Sequence, residues 1–439
     1  MFKTENPQKF FKYLKNLQSL RVYVHNDVVS LCSLKIFTTL LVKEVIKHEI
    51  IFTDTVEESD LDLTSEYFYI CEYSDTSDKE NESNIQSNFI TTGVHNKLIN
   101  NKSRIVYGID VCACTHNKMD LLIGMYKLIK CFNSLDENAL WAVIVGFTFY
   151  KMYLYKENIK EKDEDSEDEE DFRPSVLLCT ECTSFTNSLC IEVRNLSTSD
   201  RDGIFFENSI VLPLLKYSNI FQSLKNDIFF ISKYKLIYKK RKDLEDVKIK
   251  GYLARKGISL VKAFEKFNNL DHDSKKYIQK NTEKSRMFIR KMGHTSKMSA
   301  LDCYLLMCYY IFKNKSVKAY LLLDKTKFNV SEKHTNFLKN TMAVVKESLS
   351  NVSKIQNLLI FKITKDKIEN LSSYIEFVYN IIGIYMRERY ARYEYILIID
   401  KYEDGKILVY GYNVRLGREI VNGIKEFNRR DFYQNIMNR

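Results

Sequence analysis

The chain has 439 residues, of which 45% are hydrophobic, and it carries a formal net charge of +10. This length allows two or three domains with sizeable cores. With only 3 prolines and 13 glycines, the composition favours a helix-rich fold with few tight hairpins. The longest apolar run, residues 139–150, is shorter than the roughly 20 residues that a membrane-spanning helix needs, so we expect no membrane span.

The charge and the cysteines restrict the partners and the compartment. A basic balance permits contact with nucleic acid, although abundant Lys and Asn also occur on ordinary solvated surfaces. The 10 cysteines are scattered, often within apolar segments, which is typical of buried thiols in a reducing compartment. The N-terminal residues contain no apolar signal core. We therefore expect a soluble protein of the cytosol or nucleus.

The stretch from Arg21 to Phe37 predicts the start of an α/β unit. Residues 21–25 alternate and include β-branched side chains, which is typical of a strand. Asn26 and Asp27 then favour a turn and a helix N-cap, and apolar residues recur at helical spacing from Val28 to Val42. Because active sites of open α/β sheets lie at the carboxyl ends of strands, Asn26 and Asp27 are candidate site residues.

The rest of the first half is predicted to alternate between regular elements and polar loops. Strands are expected over residues 49–53, 66–71 and 104–109, and helices over residues 118–132 and 136–155. The second of these helices is apolar nearly all round, so it should be buried. Residues 73–102 and 156–172 are polar or acidic and are expected to be disordered. The pattern over 172–215 favours strands.

The second half is predicted to be mostly helical. A basic helix is expected over 228–242, followed by the segment GYLARKGISLVKAFEKFNNLD, residues 251–271. Here Gly257 is suited to end one helix in the left-handed conformation, and Ser259 is suited to cap the next. The apolar face of that next helix would comprise Val261, Phe264 and Phe267. This segment therefore predicts a helical corner.

The C-terminal region is predicted to combine helices with a hairpin. Helices are expected up to Phe312 and over residues 332–350. Strands are expected over 395–399 and 407–410, with a turn at Asp404–Gly405. A last helix is predicted over 418–427.

Five patches of the chain resemble the cell-division-cycle protein 45 family of replication factors, in the same order along the sequence. They lie at residues 27–36, 69–74, 140–146, 251–271 and 288–302. The residues that fit the family's patterns outside the strand-end site are Leu31, Cys32, Lys35, Trp141, Gly146, Gly257, Leu260, Asp271, Gly293, Lys297 and Asp302. The resemblance implies an α/β fold: a degenerate DHH-phosphoesterase-like domain with a parallel sheet (1–225), a helical insert (226–313) and a small C-terminal α/β domain similar to DHHA1 domains (314–439).

The residues at the strand ends argue against catalysis. DHH phosphoesterases hold two divalent metal ions, whose mutual repulsion requires several carboxylates and usually a histidine. The chain keeps Asn26, Asp27 and Glu72 as a vestigial site, but it has Val29 and Ser74 at the positions of a second aspartate and the histidine. One Asp and one Glu cannot neutralise two metal ions. We therefore predict no metal, no cofactor and no enzymatic activity.

Two other interpretations stay open. A metal-dependent phosphoesterase or single-strand exonuclease would need carboxylates beyond Asp27 and Glu72, with Asp75 and Asp110 as candidates. A zinc site could combine Cys112, Cys114 and His116, which lie close together in the sequence, with the C-x-x-C formed by Cys179 and Cys182. A single C-x-x-C is a weak signal for zinc. The phosphate-binding pattern G-x-x-x-x-G-K-[ST] and the hydrolase pattern G-x-S-x-G are absent.

The family resemblance implies a scaffold role in DNA replication initiation and elongation, in the nucleus. It makes the minichromosome-maintenance helicase ring and the GINS complex the expected partners. Single-stranded DNA is a further expected partner, and the candidate contacts are Lys233, Lys235, Lys239, Lys240, Arg241 and Lys242. A free single-strand-binding module is disfavoured, because only Tyr234 and Tyr238 interleave with these basic residues.

Overall fold

A computed structural model describes the chain over residues 2–4, 8, 12, 14–16, 20–53, 66–70, 105–107, 117–153, 180–196, 202–210, 212, 214–215, 218–237, 243–282, 284–292, 296–324, 332–364, 371–390, 393–400, 406–416 and 419–437. The chain divides into two compact units. Unit 1 comprises Met1–Tyr73, Glu80–Glu207 and Phe288–Lys327, and unit 2 comprises Ser74–Lys79, Asn208–Met287 and Phe328–Arg439. The division into three domains that the sequence predicts stays a prediction.

The structure confirms a mixed α/β fold. The helices are α1 (Val28–Lys43), α2 (Asn117–Cys131), α3 (Glu137–Tyr153), α4 (Thr180–Leu196), α5 (Ile220–Lys225), α6 (Ile228–Lys233), α7 (Asp243–Arg255), α8 (Leu260–Phe264), α9 (His272–Asn281), α10 (Ala300–Phe312), α11 (Ser316–Leu321), α12 (Glu332–Ser350), α13 (Leu371–Tyr390) and α14 (Arg429–Met437). None of these helices combines the length and the apolar character that a membrane crossing requires.

The strands in the described part of the chain form four sheets. They are β1 (Phe2–Thr4), β2 (Leu20–His25), β3 (His48–Thr53), β4 (Glu66–Ile70), β5 (Ile105–Tyr107), β6 (Gly203–Ile210), β7 (Lys284–Met292), β8 (Ser296–Ser299), β9 (Ser353–Ile355), β10 (Leu358–Thr364), β11 (Glu394–Asp400), β12 (Lys406–Leu416) and β13 (Glu419–Asn428). The sheet orders are β1-β5, β3-β2-β4, β6-β7-β8 and β13-β12-β11-β10-β9.

In unit 1 the opening strand β2 lies at the centre of a parallel sheet. It pairs with β3 on one side and β4 on the other, with Leu20 opposite His48 and Glu66. Consecutive residues Val22, Tyr23 and Val24 are all buried, which is typical of a parallel strand covered on both faces. The predicted strand, turn and helix at the start of the chain are confirmed.

The helices of unit 1 meet closely at one glycine. Helix α3 is fully buried from Ala139 to Val145, as its apolar pattern predicted. A Cβ atom at Gly146 would lie 2.9 Å from Leu122 Cδ2 of α2 and 3.2 Å from Cys32 Cβ of α1. The absence of a side chain at Gly146 therefore allows α1, α2 and α3 to pack at this distance.

The strand-rich pattern predicted over 172–215 is wrong over its central part, because α4 is a helix there. Phe185, Leu189 and Val193 recur every four residues, and the last two are buried. The ring of Phe185 packs edge-on against Phe147 of α3, with centroids 5.0 Å apart. Packing against α3 therefore decides the conformation of a segment rich in Ser, Thr and Cys, whose intrinsic helix propensity is low.

Unit 2 contains the largest sheet. Strands β10 and β11 are parallel, with α13 between them in the sequence, and the other neighbours are antiparallel. The predicted strands over 395–399 and 407–410 are confirmed, and the predicted turn at Asp404–Gly405 lies outside the described residues. The core of this sheet includes Leu358, Ile360, Ile396, Ile398, Val409 and Phe432.

Two predicted helices in unit 2 need correction. The helix predicted over 418–427 is wrong from residue 419 on, because these residues belong to strand β13, which pairs antiparallel with β12. The last helix described is α14. Pairing with a long neighbouring strand overrides the local pattern. The basic helix predicted over 228–242 ends at Lys233. Lys235 has a φ of 54°, a left-handed conformation that ends a helix.

A partly buried lysine links two helices of unit 2. Lys346 of α12 donates from Nζ to the backbone oxygen of Lys225, at 2.6 Å, and to the carboxylate of Glu245 of α7. Burial lowers the pKa of Lys346, and the hydrogen bond to Glu245 opposes this effect. The Glu245 carboxylate neutralises the ammonium group of Lys346, whose removal from water without a partner would cost free energy.

We predict that Gly146→Val lowers the free energy of unfolding by about 1–3 kcal/mol, because the added atoms overpack the contact between α1, α2 and α3. The measurement is urea unfolding followed by circular dichroism. Gly251→Ala in α7 is the matched control, since a Cβ atom added there would lie 3.9 Å from the nearest atom. Alanine should leave stability unchanged or raise it by up to about 1 kcal/mol there. Equal effects at both glycines would contradict the packing argument.

Candidate functional site

The turn between β2 and α1 contains the candidate strand-end site. Asp27 adopts an extended conformation, with φ −130° and ψ 162°, and is the N-cap of α1. Its Oδ1 accepts a hydrogen bond from the Ser30 backbone N–H at 2.9 Å, and its Oδ2 lies 2.9 Å from His25 Nδ1. Both carboxylate oxygens are therefore engaged within this turn. The carboxylate satisfies one of the backbone N–H groups that every helix start leaves without an intrahelical partner.

The described residues around Asp27 supply few ligand atoms for metal ions. Val29, at the position of the family's second aspartate, is buried with 4% of its surface exposed and offers no ligand atom. Among the described residues, no group of three or more His, Cys, Asp or Glu side chains is arranged to hold a metal ion. Asn26 lies beside Asp27 in the sequence, whereas Glu72 lies outside the described residues. The structure thus places two of the three predicted site residues in one turn and does not test the third.

Most residues of the hypothetical zinc site also lie outside the described part of the chain. Cys112, Cys114, His116 and Cys179 are not described, and Cys182 belongs to α4 without a described side chain. The predicted zinc site therefore stays untested.

The family-pattern thiol Cys32 is a core residue. It is fully buried, and burial raises its pKa well above the usual range, with smaller contributions from the neighbouring thiols and Asp27. Cys303 of α10 is also fully buried, and burial raises its pKa to about 12. Because thiolates are the reactive and metal-binding form, both cysteines act as small apolar side chains in the packing of unit 1.

Lys35 forms a link between helices. Its Nζ lies 2.5 Å from Asp324 Oδ1 and 4.9 Å from the centre of the Tyr320 ring. The hydroxyl of Tyr320 is in turn 2.8 Å from Thr38 Oγ1 of the same helix α1. The Lys35 side chain is only 13% exposed, so its charge is matched by an acid and an aromatic face. Lys35 therefore connects α1 with α11 and the residues that follow it.

Arg290 of β7 was not predicted as important, although it is the most buried charged side chain described, with 1% of its surface exposed. Its Nη1 donates to the Leu323 backbone oxygen at 2.9 Å, and its Nη2 donates to Asn138 Oδ1 at 2.5 Å. Its Nε lies 3.5 Å from Glu137 Oε1, and the guanidinium lies 5.7 Å from the centre of the Trp141 ring. Burial lowers the pKa of Arg290, and Glu137 opposes this effect.

The remaining family-pattern residues of unit 1 have structural contacts where they are described. Asp302 forms a capping box with Ser299 at the start of α10, where the Ser299 Oγ accepts from the Asp302 N–H at 3.0 Å. Lys297 is more than half exposed and lies 3.7 Å from Glu207 Oε1. Gly293 lies outside the described residues.

The backbone of the predicted helical corner in unit 2 is confirmed, but the predicted burial of its side chains is partly wrong. Gly257 has a φ of +66°, and Ser259 Oγ accepts from the Lys262 N–H. Asp271 caps α9, and hydrogen bonds from Ser274 lower its pKa. The apolar face predicted for α8 is wrong, however. Val261 is 81% exposed and Phe264 is 48% exposed, whereas Phe267 is buried.

The predicted nucleic-acid contacts are only partly described. The Nζ of Lys233 lies 5.6 Å from the centre of the Tyr234 ring. Lys235 is exposed after the end of α6. Lys239, Lys240, Arg241 and Lys242 lie outside the described residues, so this surface stays a prediction.

We predict that Asp27→Ala destabilises unit 1 by about 1 kcal/mol, because α1 loses its N-cap. Asp27→Asn should cost less, since an amide oxygen still accepts the Ser30 N–H. The only Trp of the chain is Trp141 in unit 1, so its fluorescence during urea unfolding isolates this unit. A gain in stability in either variant would contradict the cap and would indicate a carboxylate retained for a functional reason.

We also predict that Arg290→Ala destabilises unit 1 by about 3–5 kcal/mol, because it leaves Asn138, Glu137 and the Leu323 carbonyl without their common partner. The same Trp141 fluorescence measurement applies. Lys297→Ala is the matched control, since its ion pair to Glu207 is largely exposed and should contribute less than about 1 kcal/mol. A loss below about 1 kcal/mol for Arg290→Ala would show that the buried network does not stabilise the unit.

Solved structures of other proteins share features of this fold. The crystal structure of CDC45 from Entamoeba histolytica is similar, with a TM-score of 0.60 and 14% identity, and the match covers 99% of this chain and 98% of that chain. The crystal structure of RecJ in complex with Mn²⁺ from Thermus thermophilus has a TM-score of 0.39 and 9% identity, covering 98% of this chain and 53% of that chain.

A structure of exonuclease RecJ bound to manganese has a TM-score of 0.35 and 9% identity, covering 98% of this chain and 92% of that chain. A comparison with curated protein sequences gives no match. The family model described as CDC45 matches residues 112–350, which is more than half of the 439 residues. The chain therefore belongs to the CDC45 family of DNA replication factors.

Proposed function

We propose that this chain is a non-catalytic scaffold subunit of the replicative helicase in the nucleus. It would join the minichromosome-maintenance ring to the GINS complex during initiation and elongation of DNA replication. The observation that carries this proposal is membership of the CDC45 family through residues 112–350. The full-length similarity to the fold of a CDC45 structure supports it.

The geometry of the strand-end turn supports a role without catalysis. A metal-dependent phosphoesterase needs several ligand oxygens directed at two cations. In this turn, Asp27 is occupied by the Ser30 N–H and His25, and Val29 is buried. The carboxylate that is left at the strand end thus has a structural task, which is to start α1.

A scaffold contributes binding free energy, and rigid surfaces contribute it most efficiently. Ordering a flexible surface on binding costs conformational entropy that a rigid surface has already lost. In unit 1 the links made by Lys35 and Arg290 hold distant segments in fixed positions. In unit 2 the Lys346–Glu245 pair does the same for α7 and α12. This internal cross-linking suits each unit to present a preformed interface.

Contact with single-stranded DNA is part of the proposal. Lys233 and Lys235, together with the basic run 239–242, would contact phosphates. Such binding would weaken as the salt concentration rises, because it releases condensed counterions.

One observation favours a second candidate, a metal-dependent single-strand exonuclease. His25 and Asp27 lie 2.9 Å apart at the carboxyl end of β2, and both residue types ligate divalent cations. This candidate requires further carboxylates from outside the described residues, such as Glu72, Asp75 or Asp110.

We expect a tagged full-length chain, recovered from its own cells at moderate salt, to bring down minichromosome-maintenance subunits together with GINS subunits, as identified by mass spectrometry. The Asp27→Asn variant should recover the same subunits, because the strand-end turn does not carry the binding. A chain without the tag is the control. Recovery of neither complex would overturn the scaffold proposal.

The same preparation distinguishes the exonuclease candidate. End-labelled single-stranded DNA incubated with the purified chain and Mn²⁺ should remain intact. Hydrolysis by the unmodified chain that is lost in both Asp27→Ala and Asp27→Asn would overturn the scaffold proposal and support the exonuclease candidate.

A further inference from the structure

The helical corner of unit 2 presents apolar side chains to solvent. Leu260 is 42% exposed, Val261 is 81% exposed and Phe264 is 48% exposed. All three belong to the short helix α8, and we call them the corner patch. Single exposed apolar residues are ordinary on protein surfaces, whereas contiguous exposed apolar patches mark interaction sites. These three residues lie within five consecutive positions.

The backbone under the corner patch is held in place from both sides. Ala263 of α8 is fully buried, and the Phe264 carbonyl accepts a hydrogen bond from Asn219 Nδ2 at 3.1 Å. The Phe264 ring packs against Phe221, with centroids 4.6 Å apart. The exposure of Leu260 and Val261 is therefore a consequence of a fixed backbone, and the patch is preformed.

The corner patch lies in a basic segment. From Arg255 to Lys280 the chain carries seven basic and three acidic residues. One of the acids, Asp271, is engaged as the cap of α9 by both the N–H and the hydroxyl of Ser274. Next to the exposed apolar residues, Lys262, Glu265 and Lys266 are all exposed, so the charges nearest to the patch sum to +1. The electrostatic field around the patch thus favours a negatively charged partner.

We propose that the corner patch is a docking site for an acidic segment of a partner protein that carries apolar anchor side chains. The proposal rests on the scaffold function only in the sense that a scaffold needs such a surface. Apolar anchors would bury Leu260, Val261 and Phe264, and acidic residues beside them would pair with the lysines, as in helix-in-groove recognition.

A protein segment fits this surface better than single-stranded nucleic acid does. Binding of bases relies on aromatic faces on which they stack. Leu260 and Val261 are aliphatic and offer no such face. The Phe264 ring already packs against the Phe221 ring. Aliphatic groups lose contact with water most effectively against other apolar side chains.

The test uses the full-length chain with p-benzoylphenylalanine in place of Val261, irradiated in an extract of its own cells. Cross-linked peptides are then sequenced by mass spectrometry. We expect cross-links to a peptide of another protein that has a net negative charge and contains apolar residues. The same photoprobe at Val42 of α1, which is 67% exposed, is the matched control and should not give that peptide.

A synthetic copy of the cross-linked peptide then gives the affinity by fluorescence anisotropy. Val261→Glu should weaken binding at least about tenfold, and the wild-type affinity should fall as salt rises. Val42→Glu should leave the affinity unchanged. Val261 is largely exposed, so the melting temperature of Val261→Glu should match that of the wild type.

Several outcomes would overturn the proposal. These are cross-links at Val261 no stronger than at Val42, cross-linked peptides that are basic or neutral, cross-links to nucleic acid, and cross-links to the chain's own acidic run 161–171. The pull-down separates this result from the proposed function. Recovery of the ring and GINS without the expected cross-link would remove the docking site alone. An acidic cross-linked peptide without the ring or GINS would leave the docking site and remove the helicase assignment.

Discussion

The burial of helix α1 is the constraint on which unit 1 depends. From Val28 to Leu41 this helix is buried at nearly every position, because it is covered by β2, α2 and α3. A helix start in such a place needs a partner for its free N–H groups, since water cannot supply one at low cost. Asp27 supplies it. The requirement accounts for a side-chain oxygen acceptor at this position, independently of any metal.

A second consequence of deep packing is that charges inside unit 1 must be satisfied there. Arg290 is matched by Asn138, Glu137, the Leu323 carbonyl and the Trp141 ring. These groups come from α3 and from the residues after α11. The guanidinium has five donors in a planar fork, which suits it to connect several acceptors at once. The network connects β7 with α3 and with the residues that follow α11.

In unit 2, in contrast, a short helix exposes apolar side chains to solvent. The helices of this unit are joined by partly buried polar contacts such as that between Lys346 and Glu245, yet Leu260 and Val261 of α8 are exposed. Leu260 is 42% exposed in the described part of the chain. Burial by a partner would give these apolar side chains the environment that the fold of unit 2 does not supply.

Local pattern determined much of this protein. Alternation predicted β2, helical spacing predicted α1, α3 and α12, and the Gly257–Ser259 pair predicted the helical corner, because these signals act over a few residues. The Asp27 cap followed from the same local chemistry. The tertiary structure decided what depends on distant partners: α4 is a helix because it packs on α3, and β13 is a strand because it pairs with β12. It also decided that Arg290 is buried and that Val261 is exposed. The burial of a residue depends on segments that are distant in the sequence, and a local pattern does not show which segments these are.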